Sequence, residues 1–236
     1  HLVTPLSFMC PVYKHSTYSK LRLKLGLSLY DLLNRYGDLP PHHMLDKASL
    51  LHEIPALDDC NLLGGGCFHD AQMNDSRLVL ECLLEARALG ADVINYSRVT
   101  QVDIDRPYSR ATLQNELTQE VCDVSAKIMI NAVGPWTDAL FRQQYQRNTH
   151  HLKPSKGVHL VVPQITASHA LLFTHHKDER VFFVIPWEGY SLIGTTDTPY
   201  TNRIDQLQIS PDDIDYLCQA ANHYLPSQDI HPSSII

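Results

Sequence analysis

His159 stands inside an apolar run, Val158-His159-Leu160-Val161-Val162. An unperturbed imidazole titrates near ~6.5 and can take a proton at neutral pH. By residue type alone, though, a histidine in such a run reads first as a core side chain with its polar atoms satisfied. Lys156, three residues earlier, is either an ordinary strand-end lysine or a cation beside an anionic group. Thr195, Thr196 and Asp197 follow Gly194 at the end of another apolar run. Their hydroxyls and backbone N–H groups can bond a ligand, or they can brace a turn through local hydrogen bonds. The segment Asn131-Ala132-Val133-Gly134-Pro135-Trp136 puts small residues at the carboxyl end of an Ile/Met/Val-rich stretch. Open α/β sheets bind ligands at that end of their strands. Gly134 lets the backbone approach a bound group closely, and Pro135 fixes the exit direction. The plain alternative is a strand-to-helix turn with a packed Trp136.

The elements that must position these residues follow from periodicity. Leu25, Leu29, Leu32 and Leu33 have helical spacing within Tyr18–Leu33, which predicts a core helix. The neighbouring cations Lys20, Arg22 and Lys24 also permit an amphipathic element that touches a membrane or a partner. Residues 37–48 read as a loop, with His42 and His43 solvated. Gly64, Gly65 and Gly66 read as a tight turn. Asn74 or Asp75 caps a predicted helix starting near Ser76, with Leu78, Leu80, Leu83, Leu84 and Leu89 on it and Gly90 ending it. Strands are predicted at Ala91–Asn95, Val99–Ile104, Val121–Ala126 and Lys127–Val133, with a polar hairpin or loop over residues 105–120. A helix is predicted over Asp138–Tyr145. Gly157–Val162 is strand-like, and a hairpin turns at Glu188-Gly189 between Arg180–Pro186 and Tyr190–Gly194. Pro211-Asp212-Asp213 opens a last helix to about Tyr224. The fold class is mixed α and β, with an antiparallel part in the second half.

Composition sets limits on function. The chain has 236 residues, 44% hydrophobic and 19% charged, with 19 Lys and Arg against 26 Asp and Glu and a net charge of −7. That balance argues against a nucleic-acid binder. The six cysteines form no C-x-x-C pair and read as free thiols. No apolar run approaches the ~18–20 residues of a spanning helix. The chain starts with His1, so a missing apolar leader carries little weight. Of 14 histidines, the pairs His150-His151 and His175-His176 lack the helix spacing and acidic partner of a metal hydrolase, so no metal is expected.

Three motifs occur in order: Ile130–Trp136 with N-A-V-G-P-W, Lys156–Pro163 with K-G-V-H-L-V-V-P, and Val181–Trp187 with F-V-I-P-W continuing to Ile193-Gly194-Thr195-Thr196-Asp197-Thr198. Together with Asn74-Asp75-Ser76-Arg77-Leu78-Val79-Leu80 they resemble the FAD-dependent glycerol-3-phosphate dehydrogenases, most firmly from 73 to 200. No single motif is specific; their order and spacing are. The resemblance implies a partial FAD-binding, Rossmann-like domain interleaved with an antiparallel-sheet substrate domain, as in the D-amino-acid-oxidase and glycine-oxidase group. It divides the chain into 1–72 (substrate or cap domain), 73–150 (FAD domain), 151–200 (substrate-domain sheet) and 201–236 (helical tail).

The same resemblance implies that sn-glycerol 3-phosphate is oxidised to dihydroxyacetone phosphate, with electrons passing to FAD and then to quinone. It implies a cytoplasmic protein, peripheral on the inner membrane face, and a homo-oligomer. His159 becomes the candidate base or hydroxyl-orienting group, and Lys156 a candidate near phosphate or flavin. Val99, Ala132, Gly134, Trp136, Gly157, Thr195 and Thr196 become cofactor-binding candidates, Val99 through backbone groups offered to the adenine. The family's Gly-rich G-x-G-x-x-G turn and its G-V-R-P-L segment have no counterpart here, and Ser233–Ile236 reads as the approach to a further strand. The chain therefore resembles a central portion, expected to be inert by itself. Two alternatives stand beside this: an FAD-dependent amine or amino-acid oxidase, and a non-catalytic remnant acting as an interaction module.

Overall fold

The computed structural model describes residues 2–35, 37–104, 107–145 and 152–236. The elements run β1 (Val3–Tyr13), α1 (Lys20–Leu33), β2 (His43–Leu45), α2 (Lys47–Glu53), β3 (Leu62–Met73), α3 (Asp75–Ala88), β4 (Ser97–Ile104), β5 (Ser109–Asn115) and β6 (Val121–Ala126). They continue with α4 (Thr137–Tyr145), β7 (Ser155–Lys156), β8 (His159–Pro163), β9 (His169–Thr174), β10 (Val181–Trp187), β11 (Tyr190–Gly194), β12 (Thr198–Pro199) and α5 (Pro211–Tyr224). Two compact units emerge: 1–74 with 156–198 and 208–236, and 75–155 with 199–207.

The first unit is built on a seven-stranded sheet in the order β2-β3-β1-β9-β10-β11-β8. All pairs are antiparallel except β1 with β9. Side chains alternate across the sheet. One set, including Met9, Leu160, Val162, Leu171, Phe173, Phe182, Val184 and Ile193, is buried against Leu50, Ile54, Leu217, Ala221 and Tyr224 of α2, α5 and their flanks. Phe173 and Tyr224 stack at 4.5 Å between ring centroids. A capping box opens α5, with the Ser210 hydroxyl accepting from the Asp213 N–H and Asp213 accepting from the Ser210 N–H.

The opposite face is covered only in part, by α1. Here the expected core stripe is corrected: Leu27 is the buried residue of α1, whereas Leu25, Leu29, Leu32 and Leu33 are exposed. The expected turn at Gly64–Gly66 is also corrected, since all three lie in β3. Close approach is the reason for glycine here. A Cβ on Gly65 would lie 2.4 Å from the Cys10 carbonyl oxygen, and one on Gly66 would lie 2.8 Å from Leu27, where α1 crosses the strand. Within the expected loop 37–48, His43–Leu45 forms β2 by pairing with β3.

The second unit holds a three-stranded antiparallel sheet, β4-β5-β6, with α3 and α4. Ala91–Asn95 and Lys127–Val133, expected as strands, are not strands. A strand exists by pairing, and among the described residues neither segment has a ladder partner. Ile94, Ile128 and Ile130 are exposed accordingly. Gly90 closes α3 at φ +97, in the left-handed region that favours glycine.

Candidate functional site

The hairpin β10–β11 creates the first part of the site. Glu188 at φ 47 and Gly189 at φ 86 form its two-residue turn, the left-handed pair that matches strand twist. The register then sets Gly194 opposite Phe183 on one side and His159 of β8 on the other. Because Leu160 and Val162 face the core, alternation sends His159 to the other, more open face.

The imidazole lies over Gly194. A Cβ built on Gly194 would stand 2.4 Å from His159 Cδ2, 2.8 Å from Cγ and 2.9 Å from Nε2. Among the described residues no hydrogen bond or ion pair engages the His159 ring. Partial desolvation by the sheet lowers its pKa from the ordinary histidine value, so the ring is neutral at pH 7. A neutral ring with both nitrogens available can accept a proton or orient a hydroxyl.

Beside it, the segments 156–159 and 194–197 are tied together. The buried Thr196 hydroxyl accepts from the Val158 N–H at 3.0 Å and bonds the Lys156 carbonyl oxygen at 3.3 Å. A Cβ on Gly157 would come within 2.7 Å of Thr195 Oγ1, so Gly157 makes room for that hydroxyl. Thr195 itself donates to the Thr196 carbonyl oxygen at 3.0 Å. Asp197 is exposed, and its carbonyl oxygen accepts from Arg180 Nη1.

Lys156 goes elsewhere. Its ammonium is buried, 2.5 Å from Asp213 Oδ2 and 3.2 Å from the Gln208 carbonyl oxygen. Burial by itself would raise the Asp213 carboxyl. The bonds from Lys156 and Ser210 outweigh it and hold the group below the usual carboxylate range. Lys156 thus anchors the N-terminus of α5.

An open cavity of about 710 Å³ lies between α1 and the same sheet face as His159. Phe8, Phe68, Leu172, Phe183 and Ile185 form its apolar floor, with Arg22 and Asp70 as charged members of the lining. Phe183 connects this floor to Gly194, its partner across the hairpin.

The remaining candidates belong to the second unit. Val99 lies on β4, an edge strand of the three-stranded sheet, next to a bulge between Val99 and Gln101. An edge strand keeps part of its backbone hydrogen-bonding capacity for other groups. Gly134–Trp136 is a short 3₁₀ turn, in which Thr137 Oγ1 donates to the Gly134 carbonyl oxygen at 2.7 Å. Gly134 sits at φ +55 with no atom within 4 Å of where a Cβ would stand. Ala132 and Trp136 are exposed beside it.

The structure therefore brings Gly157, His159, Thr195 and Thr196 together in one unit, turns Lys156 to Asp213, and carries Val99, Ala132, Gly134 and Trp136 in the other. Sequence reasoning does not single out Asp213 as the partner of Lys156 or Gly194 as the seat of the imidazole. The only trace of Asp213 is the Ser-Pro-Asp-Asp start of α5, where an acidic residue completes a capping box. Among the described residues no three His, Cys, Asp or Glu side chains group to hold a metal. His175 and His176 stack at 4.6 Å, and His150-His151 lies outside the described residues. All six cysteines are free thiols.

Comparison with known proteins agrees over the whole chain. The family model for FAD dependent oxidoreductases (DAO) matches residues 4–235. An aerobic glycerol-3-phosphate dehydrogenase from Staphylococcus haemolyticus is 34% identical over 239 residues, covering 100% of this chain and 43% of the relative. Among solved structures, the glycerol-3-phosphate dehydrogenase from Bacillus halodurans complexed with FAD superposes with a TM-score of 0.80 at 32% identity, covering 99% of this chain and 42% of that one. Glycine oxidase from Geobacillus kaustophilus shares the fold, with a TM-score of 0.66 at 19% identity over 96% of this chain and 56% of its own. The chain thus spans less than half the length of the dehydrogenases it matches.

Proposed function

Because the chain belongs to the DAO family of FAD-dependent oxidoreductases, matched over residues 4–235, we propose that the parent protein, of which this chain resembles the central portion, oxidises sn-glycerol 3-phosphate to dihydroxyacetone phosphate. The observation that carries the reading is the His159 imidazole, neutral and, among the described residues, free of protein hydrogen bonds on the open face of the sheet. The similarity to dehydrogenases named for glycerol 3-phosphate supports the choice of substrate.

FAD, when bound, supplies the acceptor for the hydride and its electron pair from C2 of the alcohol. His159 receives or directs the hydroxyl proton as the C2–O bond becomes a carbonyl, so that charge does not build on oxygen. Thr195 and Thr196, tied to the His159 strand, hold that strand end in register. The residues fit a bound flavin nucleotide. The exposed main chain at Gly134, with nothing where a Cβ would stand, admits close approach of a planar or phosphate group. We assign Ala132, Gly134, Trp136 and the edge backbone at Val99 to cofactor binding within the second unit, and Gly157, Thr195 and Thr196 within the first. Lys156 we assign to anchoring α5, in view of its buried pair with Asp213.

A membrane contact is proposed from α1. Leu21, Leu25, Leu29 and Leu32 form an exposed stripe with Lys20, Arg22 and Lys24 at its start, the arrangement of an interfacial helix. A quinone acceptor would be met at such a surface. Among the described residues no helix is long and apolar enough to cross a membrane.

The test of the chemistry is His159→Gln in the FAD-loaded parent protein. Turnover should fall by roughly 10²-fold or more, the usual contribution of a positioned base. Unchanged turnover would remove His159 from the reaction.

A further inference from the structure

We propose that Gly194 is a positioning residue, whose missing side chain is the seat that aims the His159 imidazole. The inference rests on the reading of His159 given above, and it begins from how differently this chain's histidines are held. The His169 ring bonds Ser7 Oγ at 2.5 Å, His42 bonds Asp31 Oδ2 at 2.6 Å, and His231 bonds Ser233 Oγ at 2.8 Å. His159, like His43, His176 and His223, has no such anchor among the described residues; unlike His176 and His223 it has no ring stacked on it either. What fixes its ring is contact with the bare Cα of Gly194 across the β8–β11 pair.

A left-handed φ does not explain the glycine, although its peptide bond to Thr195 is cis. Gly64, Gly90, Gly134 and Gly189 have positive φ, and Gly194 does not. Space explains it. Carbon atoms in contact sit about 3.5–4.0 Å apart, whereas a methyl at 194 would lie 2.4 Å from His159 Cδ2. The ring would have to move by on the order of 1 Å, a misplacement that can cost about 10²-fold in rate. The obstructed group is also one that can yield. At Gly65 an added Cβ would meet strand backbone, which cannot yield. At Gly194 it would meet a side chain on the open face, which can swing into solvent. Substitution at 194 should therefore move the imidazole and leave the sheet intact. Seating the ring by shape, without a hydrogen bond, leaves both nitrogens to the substrate.

The test uses Gly194→Ala, read first by nuclear magnetic resonance of the His159 Cε1–H signal, assigned with His159→Gln. In Gly194→Ala that signal should shift and its titration midpoint should rise toward the ordinary histidine value as the ring reaches solvent. The signals of the other histidines should hold. In the FAD-loaded parent protein kcat should drop by roughly 10²-fold with a smaller change in KM. Adding Gly194→Ala to His159→Gln should cost less than about twofold more, since coupled residues do not add. An unmoved His159 signal and midpoint, or an equal loss from Gly194→Ala with and without His159, would overturn the proposal. If Gly194→Ala fails to fold, Gly194→Ala/His159→Ala decides. Recovery of folding on removal of the ring supports the seat, and failure of both variants refutes it. If His159→Gln keeps full turnover, the base assignment fails, while the resonance data still decide whether Gly194 positions the ring.

Discussion

Removing the Asp213 carboxylate should unfold the first unit more readily than any surface change. Asp213 and Lys156 are 5% and 8% exposed, and the carboxylate accepts from Lys156 Nζ at 2.5 Å, Ser210 N at 2.9 Å and Ser210 Oγ at 2.5 Å. In Asp213→Ala the ammonium stays buried with, among the described residues, only the Gln208 carbonyl oxygen as partner. Stranding one member of a buried ion pair costs about 3–5 kcal/mol. For a chain of this size 3 kcal/mol lowers Tm by about 6–12 °C. Lys156→Met/Asp213→Ala leaves no orphaned charge and should cost less than Asp213→Ala alone, with a residue of about 0.5–1.5 kcal/mol from the lost carboxylate bond to the Ser210 N–H. The pH dependence has a definite sign. The folded carboxyl lies below its unfolded value, so its stabilisation is present above the unfolded pKa and is lost as pH falls through the folded one. The gap between wild type and Asp213→Ala should accordingly narrow in acid. Thermal unfolding followed by circular dichroism at several pH values provides the assay. A double variant as destabilised as the sum of the singles, or a gap that widens in acid, would refute the account of Lys156 as an anchor.

Other consequences can be checked independently. Gly65→Ala should destabilise by about 1–3 kcal/mol, because its Cβ would meet the Cys10 carbonyl oxygen in β1. Gly26→Ala on α1, with nothing within 4 Å of its Cβ, should stabilise by about 0.5–1 kcal/mol; urea midpoints compare the two. Burial pushes the Cys10 thiol up to about 12, and Cys67 and Cys218 are buried too. Alkylation of the native chain should therefore mark Cys60, Cys82 and Cys122 first, as peptide mass spectrometry would reveal. His175 is buried against Tyr216 and His176, and desolvation lowers its pKa despite nearby Asp178. Its neutral form is the folded one, so stability should be complete above the unfolded value near ~6.5 and decline below it. His175→Phe should flatten that decline in urea titrations.

Elements with local signals were legible from sequence. The Ser-Pro-Asp-Asp start gave the limits of α5, and Glu188-Gly189 gave the β10–β11 hairpin, because caps and two-residue turns are written in a few adjacent residues. What depended on partners was not. Ala91–Asn95 and Lys127–Val133 have strand composition, but pairing decides whether a strand forms. The glycines at 64–66 have turn composition, yet they serve close contacts with β1, β2 and α1. On α1, leucines occur on more than one face, so spacing alone could not tell which of Leu25 or Leu27 would be buried. The motifs pointed to His159, Gly157, Thr195 and Thr196, which the fold gathers. They could not reveal that Lys156 turns to Asp213, since that partner lies 57 residues away.

The most direct test of the central claim is anaerobic reduction of the FAD-loaded parent protein, followed by bleaching of the visible flavin absorbance. The account predicts bleaching with sn-glycerol 3-phosphate and none with glycine or D-amino acids, and a markedly slower reaction in His159→Gln. Bleaching by an amino acid, or none with sn-glycerol 3-phosphate, would contradict it.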